Sequence, residues 1–188
     1  MKKIFIWLLI LLAIGVGLYY WNTEEVPVPQ VAVYNDSSLP LSFEYRDGQG
    51  GYVLLEQETN ESQLTLVKTI ILMQEDDYQS ILSGERDGGE GPPVISLQTY
   101  NNSLGLTPEE WVKQNPGLSN FPLIMSDMMS TTVAGNPAVS YDADGLYPNR
   151  SVIFSDRTFV YYVNGSYLDK DSDIYRDFQP FVDSIKLK

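Results

Sequence analysis

AVSYDADGLYPNRSVIFSDRTFVYYVNG, residues 138–165, carries the pattern of a β-meander. Three short segments, AVSYDAD, RSVIFSD and TFVYYVNG, are separated by turn chemistry at DGLYPN and SDR. Working outward, PVISLQTYN is a further strand. QLTLVKTIILMQ, residues 63–74, is too uniformly apolar at Ile70 to Met73 for a surface helix, which predicts a central strand. In LSFEYR, Leu41, Phe43 and Tyr45 alternate with Ser42, Glu44 and Arg46; DGQGG then turns the chain and GYVLLEQE resumes, so residues 41–57 read as a hairpin. Leu123 to Val133 reads as another strand, closed by a turn at Gly135, Asn136 and Pro137.

Helical signals are fewer. Thr107 as N-cap, Pro108 at the first helical position and Glu110 three residues after the cap predict a helix carrying Trp111 and Val112, stopped by NPG at 115–117. In the closing DSDIYRDFQPFVDSIKLK, Ile174, Phe178, Phe181 and Val182 share one helical face. Pro180 is expected to kink or shorten that helix, and Ile185 and Leu187 to form a last strand. EDDYQSILSGERDGGEGPP reads as an exposed excursion with one helical turn near Tyr78 to Leu82.

The chain begins MKKIFIWLLILLAIGVGLYYW. The run from Ile4 to Trp21, including Trp7 and Leu11, has no charged side chain, and its eighteen residues span about 27 Å as a helix, close to the hydrocarbon thickness of a bilayer. Lys2 and Lys3 precede the run, while Glu24 and Glu25 follow it. The positive-inside bias therefore keeps the N-terminus cytoplasmic and the rest outside, with Tyr19, Tyr20 and Trp21 at the headgroup layer. The alternative is a cleaved signal peptide, for which Gly15 and Gly17 offer small residues. The expected organisation is a transmembrane anchor over 1–21, an extended Pro-containing tether over 22–38 whose valines allow an edge strand, and one globular domain over 39–188.

Composition narrows the chemistry. The formal net charge is −13, and setting aside Lys2 and Lys3 makes the exported part −15, a field that opposes nucleic acid and anionic lipid headgroups. The chain has neither histidine nor cysteine, which removes Ser-His-Asp and Cys-His catalysis, His or Cys metal ligation and disulfides. Three carboxylate arrangements remain as candidates. Asp169, Asp171 and Asp173 have the alternate spacing of a calcium loop, but Ile174 replaces the turn glycine and Pro180 stands where a glutamate is needed; the competing reading makes them caps of the last helix. Glu75, Asp76 and Asp77, with Glu85, Asp87 and Glu90, are a solvated acidic loop or a source of a carboxylate pair for glycan hydrolysis. Asp142 and Asp144 before Gly145 read as turn residues. Tyr141, Tyr147, Tyr161, Tyr162 and Tyr167 are core rings or an aromatic platform for sugars or a partner. The Asn-x-Ser sequences at Asn60, Asn101, Asn149 and Asn164 matter only in a eukaryotic secretory route.

SFEYRDGQGGYVL, LTPEEWV, VAGNPAVSYDADG, RSVIFSDRTFVYYVNG and IYRDFQPFVDSIKLK together resemble the PsbP-like or Mog1-like superfamily, especially small bacterial exported members, over roughly residues 39–188. The resemblance implies an α/β (α+β) sandwich, an antiparallel sheet flanked by helices on both faces. It brings no catalytic set and suggests a non-enzymatic accessory role. Its photosynthetic branch helps retain calcium and chloride at the oxygen-evolving centre, and its Mog1 branch binds a small nuclear GTPase; neither partner is implied for an anchored chain. The expected function is a membrane-tethered, extracytoplasmic binding or assembly module for an envelope protein, without catalytic activity or cofactor, and with no small-molecule ligand legible. Carboxylate-based glycan hydrolysis and calcium-dependent ligand binding are the alternatives.

Overall fold

The meander forms as three antiparallel strands in register, Tyr141 opposite Ser151 and Ser151 opposite Asn164. A computed structural model describes residues 28–58, 65–86 and 89–188. The anchor residues Ile4, Trp7, Leu11, Tyr19, Tyr20 and Trp21 lie outside the described residues, as do Asn60 and Asp87. Among the described residues no helix is long and apolar enough to cross a membrane. The elements are β1 (Gln30–Asn35), β2 (Leu41–Asp47), β3 (Tyr52–Glu58), β4 (Leu66–Gln74), α1 (Glu75–Leu82), β5 (Val94–Asn101), α2 (Pro108–Gln114), α3 (Pro116–Ser119), β6 (Met129–Val133), β7 (Asn136–Asp144), β8 (Pro148–Ser155), β9 (Phe159–Ser166), α4 (Asp173–Ser184) and β10 (Lys186–Leu187).

The strand order β3-β4-β5-β9-β8-β7-β6 is antiparallel throughout and places β4 inside the sheet, because its aliphatic residues are covered from both edges. Side chains alternate between two faces. On one face Ile70, Leu72, Ile95, Leu97, Val152, Phe154, Tyr161 and Val163 pack against Ile174, Phe178, Phe181 and Val182 of α4 and against Leu41 and Phe43 of β2. On the other, Tyr100, Val139, Tyr141, Ile153, Val160 and Tyr162 pack against Trp111 and Val112 of α2. Helices thus flank both faces of a mixed α+β fold.

Residues 41–57 do form two strands, but not a hairpin. β2 pairs antiparallel with β1 on one side and with β10 on the other, and meets β3 at one parallel bridge, Asp47 to Tyr52. The apolar side of β2 lies over the main sheet instead of extending it. Close approach at Gly51 permits this crossing: a Cβ there would sit 2.5 Å from the Arg46 carbonyl oxygen. β1 also shows that Gln30–Asn35, within the stretch read as a tether, joins the fold as an edge strand, as its valines allow.

The expected strand over Leu123 to Val133 is shorter than its apolar content suggests. Phe121–Leu123 is a 3-10 turn, and β6 starts at Met129. Leu123 (47% exposed), Met125 (56%) and Met129 (61%) face solvent, so burial does not hold this run in one extended strand. The acidic excursion contains two helical turns, α1, instead of one. α4 runs through Pro180, which is exposed and near the helix end. The capping box is present: Thr107 Oγ1 accepts from Glu110 N at 3.3 Å, and Thr107 N donates to Glu110 Oε2 at 2.9 Å. Thr107→Ala is expected to cost about 1 kcal/mol, read in a melting experiment as a fall of about 2–4 °C in Tm.

Candidate functional site

The face carrying α2 is covered unevenly. α2 lies over β7 and β8; toward β3 the sheet meets α1, which leaves the end of β4 and touches β4 and β3. Register gives two rows across this face. One runs Tyr141, Ser151, Asn164, Ser96, Ile71, Leu55, and its neighbour runs Asn149, Ser166, Val94, Met73, Val53. Val53, Leu55, Ile71, Met73, Val94, Ser96 and Asn164 are all half-buried. Apolar residues thus occupy the β3–β4 half of this strip and neutral polar residues the β8–β9 half.

The polar half is a hydrogen-bonded network beneath the surface. Asn164 Nδ2 donates toward Asn149 Oδ1 at 2.8 Å and toward Ser151 Oγ and Tyr162 OH, both at 3.1 Å. Asn149 Nδ2 donates to the Tyr147 carbonyl at 3.2 Å. Burial pushes the Tyr162 hydroxyl above its ordinary range, against the hydrogen bonds from Ser151 and Asn164, and burial together with Tyr162 pushes Tyr100 up to about 12. These phenols stay protonated at neutral pH and serve as neutral hydrogen-bonding groups, not as bases.

At the end of this network a hollow of about 440 Å³ opens between the β7–β8 loop and the approach to β5. Its polar lining comes from Asn120, Asn149, Asn164, Ser166 and Tyr147, around Gly145. A Cβ on Gly145 would stand 3.5 Å from Asn149 Nδ2 and 3.9 Å from Asn120 Nδ2, so two amides converge on the space that glycine leaves. Asn120 holds a left-handed backbone (φ 54°), and its side chain meets no partner among the described residues. Tyr147 OH donates to the Gly91 carbonyl at 2.9 Å, which fixes the ring at the rim. None of the lining residues is charged.

A second, smaller hollow of about 170 Å³ sits where β2 leaves the sheet, under α4. It is mostly apolar, and its charges are already paired: Arg46 reaches Asp177 at 2.9 Å, and Tyr52 OH donates to the same carboxylate at 2.9 Å. Burial, then the Asp177 charge and its hydrogen bond, push Tyr52 far above its ordinary range.

The residues singled out from sequence are distributed differently. Asp169 Oδ1 accepts from Asp171 N at 2.8 Å within the turn before α4, and Asp173 pairs with Arg176 in its first turn; the cap itself is Ser172, whose Oγ accepts from Tyr175 N, so the three acids do not cap the helix. Asp173 instead meets Glu75, Asp76 and Asp77 of α1 around a hollow of about 190 Å³. Asp77 there pairs with Arg86 at 2.6 Å. Among the described residues no three acidic side chains are grouped so as to hold a metal ion. Glu85 and Glu90 are exposed. Tyr161 and Tyr162 point to opposite faces, Tyr161 stacked on Phe154 and Tyr162 beside Trp111, so neighbouring tyrosines build two cores instead of one platform. Asn149 is buried, and its Asn-x-Ser sequence is part of the network.

No family model matches the chain, and no curated protein matches it in sequence. Among solved structures, it is similar to the solution structure of cyanobacterial PsbP (CyanoP) from Synechocystis sp. PCC 6803. The TM-score is 0.55, the alignment covers 87% of this chain and 96% of that one, and the sequence identity is 8%. At that identity the likeness speaks for architecture alone: the chain has a PsbP-like α+β fold.

Proposed function

We propose that the chain is a small membrane-anchored member of the PsbP/Mog1-like group. It acts as an extracytoplasmic binding or assembly module without catalytic activity, engaging a protein of the same membrane. The observation carrying this reading is the apolar strip beyond α2, where half-buried Val53, Leu55, Ile71, Met73 and Val94 lie side by side in register. Such a shelf is the kind of surface a partner covers. Anchoring is supported by the uncharged run Ile4 to Trp21 and its flanking charges. Residues 22–29 join that run to β1 and reach at most about 29 Å, which holds the β1 end of the domain near the bilayer and favours a membrane protein as the occupant.

The test places a photo-crosslinking residue at Leu55 or Ile71 of the full chain in cells, with Lys113 on the exposed side of α2 as control. One discrete membrane-protein adduct from the two shelf positions, absent from Lys113, is the expected result. Identical patterns at all three positions, or none, remove the shelf as a docking face. Recovery of the chain from the soluble fraction without residues 1–21 overturns the anchored part.

A further inference from the structure

We infer that the hollow beside Gly145 is a binding site for a neutral saccharide, with Asn120, Asn149 and Asn164 supplying hydrogen bonds and Tyr147 a ring at the rim. The inference stands independently of the protein partner proposed for the neighbouring shelf.

The lining selects the ligand class. In a chain carrying a net charge of −13, a hollow of about 440 Å³ without a single charged lining residue is suited neither to an anion nor to a cation, and the size lies within the ~300–1,000 Å³ usual for small-molecule sites. What the hollow offers is hydrogen-bonding capacity of both signs. The Asn120 carboxamide has its oxygen and both N–H groups unclaimed among the described residues. Asn149 Nδ2 uses one hydrogen on the Tyr147 carbonyl and retains the other. Asn164 donates into the network through Nδ2, while its Oδ1 accepts no hydrogen bond there. A carboxamide that both donates and accepts matches adjacent hydroxyls of a pyranose, each of which also does both. Tyr147 has its hydroxyl held by Gly91, and its ring makes no aromatic contact among the described residues, leaving a fixed apolar surface for the C–H side of a sugar ring.

The network behind the hollow supports the amides. Asn149 Oδ1 receives both Asn164 Nδ2 and Ser151 Oγ, which orients the two carboxamides before any ligand arrives. The left-handed backbone at Asn120 ends α3, a helix-capping conformation that asparagine takes readily, and it fixes where the carboxamide leaves the chain.

The test uses the full chain in nanodiscs, free of glycosidic detergent. Chitotetraose and cellotetraose are titrated while asparagine side-chain amide signals are followed by NMR. Polygalacturonate and an uncharged tetrapeptide are run alongside. Expected is saturable binding of at least one neutral tetrasaccharide at ~mM or tighter, with shifts at Asn120, Asn149 and Asn164. Asn120→Gly, which suits the left-handed backbone while deleting the amide, and Tyr147→Ala are each expected to weaken binding about tenfold with the backbone spectrum retained. Absence of binding by both tetrasaccharides, equal or better binding of polygalacturonate or the peptide, or unchanged affinity in both variants overturns the proposal. These outcomes are separate from the crosslinking at Leu55 and Ile71.

Discussion

Replacing Phe178 with alanine is expected to destabilise the domain by about 3–5 kcal/mol, the usual cost of emptying a fully packed aromatic site. Phe178 is 2% exposed at the centre of the apolar stripe of α4, and the surface it rests on is unusual. Opposite it in β9 is Gly165, where a Cβ would fall 2.3 Å from Phe178 Cδ2. The ring therefore occupies the place of the missing side chain, and helix and sheet approach each other through that contact. Gly165→Ala is accordingly expected to cost about 1–3 kcal/mol by overpacking. The informative variant is the double one. With the ring gone, the methyl group at position 165 enters vacated space, so the combined loss should fall short of the sum by about 1 kcal/mol or more. Urea denaturation with unchanged m-values measures all three. Strict additivity would mean that the ring does not rest on the glycine.

That contact shows what the chain discloses locally and what it does not. Ile174, Phe178, Phe181 and Val182 advertise their helix through a period of 3.6, and the meander strands advertise themselves through alternation, because one buried face is enough to impose either pattern. Neither period says which element a face meets. Leu41 and Phe43 mark β2 as half-buried, yet alternation fits equally well a strand beside β3 or one laid over the sheet; close packing at Gly51 and pairing with β10, far along the chain, decide between them. Leu123, Met125 and Met129 misled for the opposite reason, since apolar residues also occupy solvent-facing positions.

The amide hollow was hardest to foresee. Neutral carboxamides carry neither the charge nor the ligand spacing of a metal or acid–base site, and Asn120 joins Asn149 and Asn164 only through the fold. One signal was nevertheless present: Asn149, Ser151, Asn164 and Ser166 put polar side chains on a strand face that elsewhere carries Val139, Ile153 and Val160. Polar residues at core-facing positions of well-formed strands depart from the binary pattern, and such departures mark sites.

Asp36→Asn is expected to cost about 3 kcal/mol and to flatten the acid limb of the stability profile. Asp36 is 5% exposed, in the loop leading from β1 to β2. Its Oδ1 accepts from Ser38 N at 2.6 Å, Ser38 Oγ at 2.7 Å and Leu39 N at 3.0 Å, while its Oδ2 accepts from Lys68 Nζ at 2.6 Å and Tyr34 OH at 2.8 Å. One carboxylate thus closes its own loop and ties the antiparallel β1–β2 pair to β4. Burial opposes the charge, but donors from Lys68, Ser38 and Tyr34 outweigh it and hold the carboxyl well below the usual carboxylate range. Unfolding restores a value near ~3.9, so between the folded and unfolded values the unfolded chain binds more protons and stability rises with pH. The contribution is complete above about pH 5 and is lost progressively as pH falls below about 4. Tm measured from pH 7 to pH 2 should therefore drop more steeply for the native chain than for Asp36→Asn, the two curves approaching each other at the acid end. Lys68 moderates the loss, because it keeps Glu56 at 2.6 Å when Asp36 is neutralised. Parallel curves over the whole range would show that other carboxylates, and not Asp36, govern acid unfolding.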